Sequence, residues 1–244
     1  MRTLIISDVH ANWTALQAVL EDAAPFDRVW CLGDMVGYGP DPNDCIETIR
    51  DLPGIRCVRG NHDAAILGEI DIAAFNFEAR ASLEWLDSQL RPANRVWLDE
   101  RPERLTIEPF TLVHGSPRSP VWEYVMDITT ALDNKTHFDT HYCLIGHTHI
   151  PSVFTLDQTE NDSPHLYMMP PDEPFSMEQK SILNPGSVGQ PRDHNPLSSY
   201  LVYDDALDLP FEYHRVSYDV EQVQHRILAA GLPQRHAARL REGW

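Results

Sequence analysis

Apolar and polar positions divide the first sixty residues into a regular alternation. Residues 2–7 (RTLIIS) form an apolar run that reads as a strand. Residues 12–23 (NWTALQAVLEDA) follow at helical spacing, with Leu16, Val19 and Leu20 on one face. A second strand is expected over 28–32. Asp41-Pro42-Asn43 resembles a helix start, with a helix over 44–51 and a third strand over 55–58. This βαβαβ opening favours a parallel sheet carrying helices on its face.

The pattern then changes. Residues 76–90 (NFEARASLEWLDSQL) are amphipathic at helical period, with Ala79, Leu83, Leu86 and Leu90 as the buried stripe. From residue 104 short strands dominate, over 104–107, 110–113, 141–145, 152–156, 180–183, 199–203 and 211–216. Helices return near 129–135 and 219–241. Alternating β and α followed by mostly β predicts two sheets packed face to face with helices outside, in one domain spanning 1–244. The polar, Pro-rich stretch 157–179 interrupts the strands and reads as a long hairpin excursion. It is either a mobile surface loop, or a lid or homodimer contact built on Tyr167, Met168 and Met169.

Composition narrows the setting. The 244 residues carry a net charge of −18 and a pI near 4.9. Such a surface repels nucleic acid and anionic membranes, so neither is expected as a partner. A phosphorylated substrate would need a local positive centre, and no Lys/Arg run supplies one. Cys31, Cys45, Cys57 and Cys143 are scattered without a CxxC pair, which suits a reducing cytoplasm. The N-terminal MRTLIIS enters a strand at once, so neither a secretory leader nor a membrane span is expected.

The chemistry gathers where apolar runs end. The first strand runs into Asp8-Val-His10, the second into Gly33-Asp34, the third into Gly60-Asn61-His62-Asp63. The strand at 110–113 ends in His114-Gly115, and that at 141–145 in Gly146-His147-Thr-His149. Five of the 12 histidines therefore sit C-terminal to apolar runs. Parallel strands bring such ends to one edge, where sites form. Imidazoles, carboxylates and a carboxamide without a thiolate make a donor set for hard or borderline divalent ions. Asp8, His10, Asp34, Asn61, His114, His147 and His149 are too many for one ion with an open position. They suit two ions about 3.5–4 Å apart that share a carboxylate.

In that order, DVH, GD, GNHD, HG and GHTH resemble the calcineurin-like metallophosphoesterase superfamily over roughly residues 4–190. Asn184-Pro-Gly-Ser-Val-Gly189 with Pro191-Arg192 is similar to its compact bacterial, phosphodiesterase-like branch. The resemblance implies an α/β (α+β) fold, a four-layer αββα sandwich of two mixed sheets. It assigns Asp8, His10 and His149 to one ion, Asn61, His114 and His147 to the other, and Asp34 to both. The ions would be Mn, Fe, Zn, Ni or Co, which such mixed donors do not distinguish. They would lower the pKa of a bridging water that attacks phosphorus, while His62 protonates the leaving oxygen.

Several roles stay open at this level. Asp63 either orients His62 or caps the helix that follows. Asn12 either touches substrate or caps the first helix. Tyr38 either lines the pocket or packs on its loop, and Arg192 either reaches a phosphate or serves structure or a dimer. His137, His141, His165, His194, His214, His225 and His236 lack a matching context. Pocket walls are expected from 35–43, 64–80, 116–128 and 157–179.

The function implied is hydrolysis of a small or nucleotide-like phosphoester, most simply a diester. The dinucleoside polyphosphate hydrolases and phosphoprotein phosphatases of the superfamily tend to carry an Arg soon after GD. Here that stretch reads GDMVGYGPDP, which argues against those branches. A non-catalytic scaffold like the retromer subunit would lack the histidine of GNHD, which this chain has.

Overall fold

The structure is a computed structural model that describes residues 1–158 and 163–244. It opens with β1 (Arg2–Ile6), α1 (Trp13–Ala23), β2 (Arg28–Cys31), α2 (Pro42–Arg50), β3 (Arg56–Cys57) and α3 (Asn61–Ile66). Helices α4 (Phe77–Gln89) and α5 (Pro92–Asp99) follow, then β4 (Arg104–Ile107), β5 (Phe110–Val113), α6 (Ile128–Asn134) and β6 (Tyr142–Leu144). The chain continues through β7 (Ser152–Thr155), β8 (His165–Tyr167), β9 (Ser181–Asn184), β10 (Ser198–Asp204), β11 (Phe211–Val216), α7 (Val220–Ala229) and α8 (Gln234–Glu242).

Two mixed sheets result. One has the order β11-β10-β1-β2-β3, the other β4-β5-β6-β9-β7-β8. In the first, β1, β2 and β3 are parallel, with β10 antiparallel to β1. In the second, β5, β6 and β9 are the parallel set.

The period of two along β1 decides what each face meets. Ile5 turns inward with Trp30, Leu32, Phe110, Leu112, Leu144 and Leu183, in the layer between the sheets. Leu4 and Ile6 turn outward with Val29 onto Leu16 and Val19 of α1, Ile46 and Ile49 of α2, and Leu83 and Leu86 of α4. On the far side of the second sheet, Val113, Cys143 and Ile182 meet Ala131 of α6 and Phe138. The order helices, sheet, sheet, helix is the expected αββα sandwich. Truncating a buried side chain such as Leu4 to Ala would cost about 2–5 kcal/mol.

Two elements depart from the sequence expectation. The helix expected over 219–241 is two helices, because Gly231 adopts a φ of +72° and Pro233 stands at the head of α8. Helix α5 was not expected. It starts on Pro92 and is held by Asn94, whose amide donates to Asn43 Oδ1 and Glu47 Oε1, both at 2.9 Å. The excursion pairs β8 with β7 at the sheet edge, and Tyr167, Met169 and Met177 pack on the inter-sheet core. Residues 159–162 of that excursion lie outside the described residues. No helix among the described residues is long and apolar enough to cross a membrane.

Candidate metal centre and cleft

The C-terminal ends of β1, β2, β5 and β6 deliver their polar residues to one place. Asp8, His10, Asp34, Asn61, His114, His147 and His149 are all buried, none more than 4% exposed. Ligand atoms of Asp8, His10 and His149 lie within 4.8 Å of one another, as do those of Asp34, His114 and His147. The backbone bends to achieve this. Asp8, His10, Asp34, His147 and His149 all have φ between +50° and +65°. Left-handed backbone at a non-glycine residue costs on the order of 1–3 kcal/mol and persists where surrounding structure holds it. Gly60 is required for a different reason, since a Cβ there would collide with the Asp34 carboxylate.

The hydrogen bonds reveal what the centre is built for. A carbonyl only accepts, so a ring nitrogen facing one carries the proton. His10 Nδ1 donates to Val36 O at 3.0 Å, and His149 Nδ1 donates to Gln190 O at 2.6 Å. His114 Nδ1 donates to Leu32 O at 2.8 Å, and His147 Nε2 donates to Trp122 O at 3.1 Å. Each ring, when neutral, therefore presents its other nitrogen bare. Those bare nitrogens face one another, His10 Nε2 to His149 Nε2 at 3.0 Å and His114 Nε2 to His147 Nδ1 at 3.2 Å. Asn61 Oδ1 stands 3.1 Å from His114 Nε2.

The carboxylates follow the same rule. Asp8 Oδ2 accepts from Ser7 Oγ and His147 N, while Oδ1 has no hydrogen-bond partner and faces His149 Nε2 at 3.2 Å. Asp34 Oδ1 accepts from His62 N at 2.9 Å. Its Oδ2 lies 3.3 Å from His114 Nε2 and 3.7 Å from His10 Nε2, between the two groups. Lone pairs pointed at lone pairs in a dry site call for cations between them. The donors fit divalent metal ions, with the backbone carbonyls fixing each ring's orientation.

Charge states agree. Burial opposes ionisation of Asp8, yet neighbouring His149 holds its carboxyl well below the usual range. Burial pushes His149 down to about 4, with the Arg192 charge adding to it, and pushes His147 down to about 3. His114 is the exception. Burial disfavours its charge, but the Asp34 carboxylate outweighs that and raises it to about 9. Without a metal ion, a proton on His114 balances Asp34.

His62 sits beside this centre, buried, with Nε2 3.1 Å from Tyr38 Oη and Nδ1 unpartnered. Burial lowers its pKa well below the ordinary value. A cleft of about 420 Å³ opens over it, lined also by Asp34, Asn61, His147 and His149. Tyr38 and Arg192 line the cleft too, Arg192 Nη2 lying 3.4 Å from Tyr38 Oη and 3.0 Å from Gln190 Oε1.

Two residues considered for catalysis or substrate contact are elsewhere. Asp63 accepts from Gly60 N, Met35 N and Val36 N, and so caps α3 and pins the 35–36 loop instead of orienting His62. Burial, then the Asp34 charge, raises it to about 6. Asn12 accepts from Ala15 N and donates to Gly189 O, so its amide is spent on capping α1 and bracing the 189 loop. Of the expected walls, 35–43, 64–80 and 116–128 contribute Tyr38, Phe75 and Trp122, but no described residue of 157–179 lines the cleft. Phe75, Trp122 and Tyr124 were not singled out from sequence. Their only signal there is three bulky rings in polar, aperiodic stretches.

The pattern of the calcineurin-like phosphoesterase superfamily domain matches residues 1–206. The chain belongs to that superfamily. This calcineurin-like phosphoesterase is a phosphoric ester hydrolase of a metal-dependent family. It is 35% identical to the uncharacterized protein MJ0912 of Methanocaldococcus jannaschii, over 94% of this chain and 93% of that one. The crystal structure of a metallophosphoesterase from Sphaerobacter thermophilus superposes with a TM-score of 0.90 at 39% identity, covering 100% of this chain and 99% of that one. A symmetrical bis(5'-nucleosyl)-tetraphosphatase of Serratia proteamaculans is 38% identical over 71 residues, 28% of this chain and 25% of its own length.

Proposed function

We propose that this calcineurin-like phosphoesterase is a binuclear-metal phosphodiesterase acting on a small phosphoester. The observation that carries the reading is the set of carbonyl-anchored imidazoles whose bare nitrogens converge in two groups, with Asp34 Oδ2 between them. Asp8, His10 and His149 would hold one divalent ion, Asn61, His114 and His147 the other, and Asp34 both. Bound ions supply charge for the phosphoryl oxygens and make water nucleophilic near neutral pH.

The side chains do the rest. Arg192 offers a guanidinium at the cleft wall to a non-bridging oxygen. Tyr38 Oη, 3.1 Å from Nε2, fixes the His62 ring, while Asp34 Oδ1 holds the His62 backbone N. His62 gives a proton to the departing alkoxide. Burial lowers its pKa, and an anionic phosphoester beside the ring would raise it and favour the charged form that gives the proton. Four free, buried cysteines support a reducing, cytoplasmic setting.

A second reading, hydrolysis of dinucleoside polyphosphates, draws on the partial match to the tetraphosphatase. Metal analysis of the purified protein, coupled to a substrate panel, separates the two. Chelator-sensitive turnover of bis-p-nitrophenyl phosphate with Mn²⁺ supports the diesterase. Fast cleavage of diadenosine tetraphosphate with little diester activity replaces it with the second reading.

A further inference from the structure

Part of the cleft wall presents side chains that offer no ligand to a metal. Phe75 meets the His62 ring edge-on at 5.0 Å and Trp122 at 5.3 Å. Tyr124 stacks on the His147 ring at 3.8 Å, with 24° between planes. The three rings thus run from the proposed proton donor to a proposed ligand along one rim. Trp122 is 40% exposed and Tyr124 48%, although the polar centre beneath them is buried. Large aromatic faces left wet at the mouth of a site fit a flat, apolar partner.

The remainder of the lining is suited to an anion. Arg192 is the one arginine or lysine among the described residues lining the cleft, and its buried Nε has no hydrogen-bond partner. One cleft therefore offers phosphate-directed groups and a planar wall side by side. Its volume of about 420 Å³ lies low in the range of roughly 300–1,000 Å³ typical of small-ligand sites, room for one nucleoside-sized group.

We infer that the substrate is a nucleoside phosphoester, its base stacked on Trp122 with Phe75 and Tyr124 at its edges. This rests on the phosphodiesterase reading and adds the identity of the group on the phosphate. The net charge of −18 selects a small nucleotide over a nucleic acid chain.

Thymidine 5'-(p-nitrophenyl phosphate) and methyl p-nitrophenyl phosphate share a diester phosphorus and a leaving group. The ratio of their kcat/KM values thus isolates the nucleoside. With Mn²⁺-loaded protein the ratio should favour the thymidine ester by about tenfold or more, a stacked base being worth roughly 5- to 150-fold. Trp122→Ala should collapse that ratio, chiefly through KM, and Trp122→Phe should restore most of it. Tyr124→Ser, at an exposed ring, should lower it by a smaller factor and serves if the first variant misfolds. A wild-type ratio near one, or a ratio unmoved by both variants, overturns the proposal.

Equilibrium binding of thymidine 5'-monophosphate against methyl phosphate, by calorimetry, needs no turnover. A preference below about threefold overturns the wall. If neither ester is hydrolysed yet the preference is clear, the wall stands and the diesterase reading falls. If both esters turn over without preference, the wall alone falls.

Discussion

Among the described residues, two regions put histidines among carboxylates at ligand distance, one central and one near the surface, and they are built in opposite ways. At the centre, Asp8, His10, Asp34, His114, His147 and His149 are nearly inaccessible, and every imidazole is tied back to a carbonyl. Near the surface, Asp172, Glu212 and His214 also bring ligand atoms within 4.8 Å of one another. There His214 Nδ1 bonds Asp172 Oδ1 at 2.8 Å and Nε2 lies 3.6 Å from Glu212, with the Asp172 side chain 72% exposed. Asp172 even shares the left-handed backbone, with φ +61°. Proximity and strain are therefore common to both. What separates them is burial and anchoring: each central ring gives one nitrogen to a backbone carbonyl and turns the other into a dry site, whereas His214 Nδ1 meets an exposed carboxylate at 2.8 Å. A candidate metal site is marked by buried donors oriented through backbone anchors, more than by distances between ligand atoms.

The hardest blow to the central cluster is Asp34→Ala, which removes the carboxylate proposed to serve both ions. Turnover of a diester should fall by about 10⁴-fold, since charge at the phosphoryl group contributes several kcal/mol. Plasma emission analysis should show less than the wild-type metal content. Retention of full content and activity would remove the bridging role.

His62→Ala comes next, with an expected loss of about 10²- to 10⁴-fold in kcat on an alkyl leaving group and metal content intact. The loss should shrink with p-nitrophenolate, which leaves without a proton. Equal losses on both esters would show that His62 is not the proton donor.

A third measurement concerns metal affinity against pH. Asp34 raises His114 to about 9, so at neutral pH the metal-free protein carries a proton that the ion must displace. Affinity should climb by up to about tenfold per pH unit and level off near pH 9. Calorimetry in two buffers of different ionisation enthalpy should count the released proton. A flat profile between pH 6 and 8 would contradict the assignment.

The contrast between the clusters also explains what the sequence made legible. The meeting of Asp8, His10, Asp34, Asn61, His114, His147 and His149 was legible because each lies at or just beyond the end of an apolar run, and parallel strands carry those ends to one edge. Asp63 and Asn12 could not be settled, because both caps and substrate contacts use short polar side chains at loop ends. Only tertiary partners, Met35 N and Val36 N for Asp63 and Gly189 O for Asn12, decide them. The break between α7 and α8 was foreshadowed by Gly231 and Pro233, but helical spacing on either side concealed it. The aromatic rim was hidden for a deeper reason. Trp122 lies in an aperiodic loop, and its place over the cleft depends on its own carbonyl holding His147, a contact 25 residues away.

Asp172→Ala is the smallest effect and completes the comparison. It removes the exposed hydrogen-bond partner of His214, a surface contact of the kind worth about 0–1 kcal/mol. Stability in a urea titration should move by no more than that. Metal content and diester turnover should match the parent protein, because His214 Nε2 still faces Glu212 and nothing in the central cluster touches Asp172. A parallel His10→Ala variant, built to expose Asp8 Oδ1 and remove a proposed ligand, should lose metal on dialysis. Were Asp172→Ala instead to release an ion, distance alone would be enough to make a site, and the distinction drawn from the carbonyl-anchored rings would fail.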